Sequence, residues 1–67
     1  MAREFEKDVV LKRLKEANRT LGAVTGVTLA VICGWSERSV REWLRRLEAA
    51  GMAARPGGIR SGWVARA

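Results

Sequence analysis

Three arginines, Arg38, Arg41 and Arg45, recur three and four residues apart within the stretch ERSVREWLRRLEA. On a helix those intervals place the side chains on one face, and Glu42 falls among them. The opposite face holds Val40, Trp43, Leu44, Leu47 and Ala50. A guanidinium carries five N–H donors in a planar fork, which matches phosphate oxygens or the O6 and N7 acceptors on a guanine edge. A row of such forks recognises a polyanion and makes or breaks no bond. The competing reading is a solvated face held by ion pairs. Glu37 with Arg41, and Glu42 with Arg46, stand at the favourable i,i+4 spacing, worth ~0.2–0.5 kcal/mol per pair. Arg41 and Arg45 are also four apart, however, and repel by a similar amount. A face shaped for helix stability alone has no use for that conflict.

Catalytic chemistry finds few groups to work with. The chain has no His, no Tyr, one Asp and one Cys, so the commonest acid–base and a common metal ligand are missing. No phosphate-binding glycine loop and no paired carboxylates in an apolar setting occur. The expectation is therefore no enzyme, no catalytic residue, no metal site, no cofactor and no small-molecule substrate. The lone Cys33 has no partner for an internal disulfide and is expected to be a buried, inert thiol.

The 67 residues suffice for one small domain, 1–67, whose core is marginal in size. Apolar residues make up 48%, which argues against disorder. Against 7 Asp+Glu stand 13 Lys+Arg, for a net charge of +6 and a pI near 11.1. So basic a small domain suits nucleic acid first and an anionic membrane surface second, with solubility as the bland alternative. The segment from Thr20 to Ser36 carries no charge, but its glycines, threonines and modest length argue against a membrane span. The densely charged start, Met1 to Lys15, does not read as a signal peptide, and the expected compartment is the cytoplasm. Asn18-Arg19-Thr20 fits a glycosylation sequon, which carries little weight in that compartment.

Periodicity supplies the elements that must carry the arginine row. A first helix is expected over about 3–17, with Val10, Leu11, Leu14 and Ala17 as its apolar stripe. Phe5 and Val9 fall almost opposite that stripe. They either cover an edge of the C-terminal segment or form a dimer contact; with a late helix start, Phe5 staples onto Val10 instead. Leu21 is expected to pack inward, and Ala23-Val24 to pair as a short strand. A second helix is expected over about 26–33, capped by Thr25 and stopped at Gly34. A third, over about 37–50, takes Ser36 as its N-cap and ends at Gly51. After Gly51 the period changes. Residues of about 52–66 read as a β-hairpin, Met52 to Arg55 and Ile59 to Ala65, turning at Pro56-Gly57-Gly58. Trp63 and Met52 can meet on its inner face. Trp35 reads as a core aromatic locking the turn between the second and third helices, and Trp43 as a core residue.

In that frame the order Leu29-Ala30, Gly34, Ser36, Val40, Leu44, Leu47-Glu48, Gly51 resembles the winged helix-turn-helix family of bacterial, archaeal and phage DNA-binding domains, over Val10 to Trp63. The resemblance implies an α+β, mainly α fold: three helices in a winged helix-turn-helix with a C-terminal β-hairpin wing. The third helix would then be the recognition helix, entering the major groove of double-stranded DNA by its N-terminal end. Base contacts are expected from Arg38, Arg41, Glu42 and Glu37. Phosphate contacts are expected from Ser36, Ser39, Arg45, Arg46, Arg55 and Arg60. A small transcriptional regulator is the implied function.

One departure stands out. Val31 and Ile32 occupy positions that are usually polar and solvent-facing in such domains. Either Leu21 or the N-terminal segment covers them, or a second protein does. Phe5, Val9, Val31 and Ile32 are accordingly a possible interface for a homodimer or protein partner, which makes an interaction module the main alternative. A nonspecific nucleic-acid binder is the third reading.

Overall fold

The structure, a computed structural model, describes residues 2–58 and 62–66, with side chains from Glu6 onward. The chain forms α1 (Ala2–Leu21), α2 (Gly26–Cys33), α3 (Glu37–Ala49), β1 (Ala53–Ala54) and β2 (Val64–Ala65). The protein is small and mainly helical, of the α+β class. The strands pair antiparallel, Ala53 with Ala65 and Ala54 with Val64.

Local chemistry sets most boundaries. Thr25 opens α2 by accepting from the Thr28 N–H at 3.1 Å, and Ser36 opens α3 by accepting from the Ser39 N–H at 3.2 Å. Each hydroxyl satisfies one of the amide donors a helix start leaves orphaned. The ends of α2 and α3 repeat one device. Gly34 and Gly51 adopt φ of 73° and 77°, the left-handed region that costs glycine nothing. The following residue then donates back into the helix, Trp35 to the Ala30 carbonyl at 3.1 Å and Met52 to the Leu47 carbonyl at 2.8 Å. This pattern ties off two of the last carbonyls of each helix and turns the chain sharply.

Packing then assembles the helices. Val10 and Leu14 from α1, Leu29 from α2, and Val40, Leu44 and Leu47 from α3 are fully buried. Burial of each such side chain stabilises the fold by about 1.5–3 kcal/mol. Trp63, 7% exposed, closes the core from the hairpin side. Trp35 and Trp43 are half-buried and pack against the core edge. Ala50 lies outside it and is exposed, because α3 ends at Ala49 and the turn carries Ala50 away from the core.

The largest departures from the sequence reading lie at the junction of α1 with the hairpin. The first helix runs four residues beyond Ala17, to Leu21. Leu21 projects past the edge of the core and is 62% exposed instead of packing inward. Asn18 takes the inward place. Its side-chain NH2 donates to the carbonyls of Gly22 (2.7 Å) and Trp63 (3.1 Å), and its Oδ1 accepts from the Ala65 N–H at 2.8 Å. Beside it Val24 and Trp63 exchange backbone hydrogen bonds of 3.2 and 2.6 Å, forming an antiparallel bridge. Gly62 makes the close approach possible, since a Cβ there would sit 2.5 Å from the Val24 nitrogen. After β1 a turn centres on Pro56-Gly57, closed by the Gly58 N–H on the Arg55 carbonyl at 3.0 Å. The expected strand over Ile59–Ser61 lies outside the described residues.

Two substitutions test this junction. Gly62→Ala should destabilise by about 1–3 kcal/mol through forced separation of the backbones. Asn18→Ala should cost a similar ~1–3 kcal/mol by orphaning the Ala65 N–H. At this chain length each kcal/mol lowers Tm by roughly 4–8 °C, which thermal circular dichroism resolves.

Candidate nucleic-acid interface

The outer face of α3 is a shallow groove lined by Glu37, Arg38, Arg41, Glu42 and Arg45. The face arises because the buried residues Val40, Leu44 and Leu47 recur at three and four and leave the charged positions outward. Arg38, Arg41, Glu42 and Arg45 are all exposed. All four expected base-contact residues are therefore brought together. Arg38, Glu42 and Arg45 make no ion pair among the described residues. Arg41 is paired, its Nη2 lying 2.5 Å from Glu37 Oε2.

Arg41 and Arg45 also border a second groove, of about 520 Å³, between the start of α2 and the hairpin. Thr25, Gly26, Val27, Arg55 and Trp63 line the rest of it. The first turn of α2 holds no acidic residue, so its partial positive end faces three arginines with no carboxylate on that turn. Two of the three have carboxylate partners outside the groove lining, Arg41 in Glu37 and Arg55 in Glu48, and Arg45 has none among the described residues. Arg55 is not a free tip residue. Its guanidinium lies over the Trp63 ring, 4.5 Å from the centroid, and 3.7 Å from Glu48 Oε1. The hairpin thus carries its charge folded back toward α3. Arg60 lies outside the described residues.

The remaining expected phosphate contacts point elsewhere. Arg46 sits over the Trp43 ring at 4.8 Å and makes no ion pair with Glu42. Together with Ser36, Ser39, Trp35 and Trp43 it lines a separate recess at the start of α3. The Ser36 hydroxyl donates to Ser39 Oγ at 3.0 Å while capping the helix, so only the Ser39 hydroxyl keeps a hydrogen to offer.

The expected interface residues differ in exposure. Val31 is 77% exposed, Ile32 40% and Val27 51%, and among the described residues nothing covers Val31. Val9 is half-buried on α1, and the Phe5 side chain lies outside the described residues. No group of residues suited to a metal ion occurs among the described residues, and no helix is long and apolar enough to cross a membrane. Cys33 is half-buried, not sealed in the core. Burial still pushes its thiol above the ordinary range, with the nearby Arg13 charge working against that shift.

Residues that sequence reasoning passed over hold the site together. Asn18 fixes the hairpin, Glu48 tethers Arg55, and Gly26 lies against Arg41. Compared with known families, curated proteins and solved structures, the chain matches no family model, no curated sequence and no solved structure.

The raised Cys33 thiol gives a direct check on this edge of the core. Since the thiolate is the reactive form, alkylation by iodoacetamide at pH 8 should run several-fold slower in the native protein than in urea. The rate should also climb at a higher pH than for a free thiol. Equal native and unfolded rates would contradict the packing described.

Proposed function

We propose that this protein is a winged helix-turn-helix domain that binds duplex DNA sequence-specifically and serves as a small transcriptional regulator. The observation that carries the reading is the basic face of α3. Arg38, Arg41 and Arg45 share one exposed groove opposite a fully buried apolar stripe. At 1.5 Å per residue α3 is about 20 Å long, and the major groove admits one α-helix of that kind. Arg38 and Arg41 stand near the helix N-terminus, the end that reaches base edges in helix-turn-helix proteins. The groove between the start of α2 and the hairpin, bordered by Arg45 and Arg55, suits a backbone phosphate. Three helices followed by an antiparallel hairpin support the winged arrangement.

Selection of bound sites from a random duplex library at physiological salt tests the proposal. A defined motif should emerge. Arg38→Ala should then weaken binding by ~1–3 kcal/mol and relax preference at one base pair. Arg45→Ala should instead weaken all sequences alike and reduce the salt slope by about 1. Enrichment of no motif despite tight binding would leave a nonspecific nucleic-acid binder. No affinity for any duplex would refute the proposal.

The exposed Val27 and Val31, one turn apart on α2, favour a second reading: a homodimer or protein-interaction module. Light scattering distinguishes it. A larger species at micromolar concentration that Val31→Lys returns to monomer would support the α2 contact, and a wild-type monomer would count against the homodimer.

A further inference from the structure

Arg41 is held in a way its neighbours are not. One end of its side chain meets Glu37, with Nη2 at 2.5 Å from Oε2. The stem runs along Gly26 of α2, where an added Cβ would lie 3.2 Å from Cγ and 3.4 Å from Nε. Gly26 is buried although it is the first residue of its helix. Its φ is not among the positive ones, so the backbone does not demand glycine there. Glycine is also the poorest helix former after proline. What the missing side chain provides is room for the arginine. The side chains of Arg38 and Arg45, by contrast, make no hydrogen bond or ion pair among the described residues.

An exposed arginine ordinarily loses much rotamer freedom when it binds. Arg41 has given up part of that freedom in the unbound protein. Such ordering matters most where a planar fork must meet two acceptors at fixed spacing, as on the O6 and N7 edge of guanine. Phosphate oxygens accept hydrogen bonds from many directions, and the Glu37 carboxylate beside Arg41 would repel a phosphate. The guanine edge is uncharged and escapes that penalty. Glu37 engages one of five N–H groups, leaving the others for a base.

We propose that Arg41 is the guanine-reading residue of α3, with Glu37 and Gly26 as its positioning residues. The inference rests on the DNA-binding reading and assigns Glu37 to Arg41, not to a base. Wild type, Glu37→Gln, Gly26→Ala and Arg41→Lys would each be run through site selection, titration against random duplex and thermal melting. Wild type should select a motif with a guanine that Arg41→Lys no longer demands, a loss of roughly 10-fold or more in discrimination. Gly26→Ala should keep or raise Tm, leave random-duplex affinity unchanged, and lower the guanine preference by roughly 3–10-fold. Glu37→Gln should lower the same preference while raising random-duplex affinity, because a negative charge is gone. A merely structural role would move Tm and not that base preference. The inference is overturned if both variants retain full guanine preference, or if Arg41→Lys weakens all sequences evenly. A wild type that binds no duplex overturns the DNA-binding reading, and this one with it.

Discussion

The chain beyond α3 depends on one carbonyl. The Trp63 oxygen accepts from the Val24 N–H and from the Asn18 side chain, so the end of α1, the link before α2 and the hairpin meet at a single acceptor. Asn18 closes the arrangement by accepting from Ala65. Two strands of two residues each would not hold a hairpin by themselves, since isolated two-stranded hairpins are marginal in water. Here the hairpin is fastened to a 20-residue helix, and the indole of Trp63 is driven into the core as a result. That placement sets where Arg55 can go. With Trp63 fixed, the guanidinium stacks on its ring and reaches Glu48 of α3, which keeps a hairpin charge beside the start of α2.

The same economy governs α3. In a core this small the three fully buried residues Val40, Leu44 and Leu47 are each worth a large share of the net stability, which rarely exceeds about 3–5 kcal/mol at this size. Their spacing therefore fixes the rotation of the helix tightly. The charged face has no freedom to roll inward. Its ion pair is worth little by comparison, because Glu37 and Arg41 are both substantially exposed and such pairs contribute about 0.3–0.5 kcal/mol. Apolar burial orients the arginines; their own electrostatics do not.

What was legible in the sequence follows from this division. Thr25, Ser36, Gly34 and Gly51 are read correctly as helix ends because capping is a matter of a few neighbouring atoms. The buried stripe of α3 is read from its period. Asn18 was missed for a physical reason: its three hydrogen bonds include two to residues 45 and 47 positions away, and no local pattern announces them. α1 runs on to Leu21, just before the left-handed Gly22, whose N–H donates to the Asn18 carbonyl. Arg46 likewise leaves its expected partner for the Trp43 ring, a choice between two near neighbours that spacing alone cannot rank. The arginine row itself was legible; the split into two grooves, with Arg41 and Arg45 shared between them, needed the position of α2.

The cost of that sharing is where structure and proposed function meet. Arg41 and Arg45 stand one turn apart, like charges at a spacing that destabilises an isolated helix, and both approach the positive end of α2. Glu37 relieves only one of them. A further carboxylate in the first turn of α2 would relieve the other, yet that turn has none. The repulsion is small enough for the apolar core to carry, and it disappears once an anion enters the groove. In the proposed complex a phosphate would supply the missing negative charge, so the protein's local electrostatic deficit would become binding energy. An interaction module docking through Val31, which lines neither basic groove, would leave Arg45 without a partner, which is why the basic grooves weigh more heavily than that exposed valine in reading this fold.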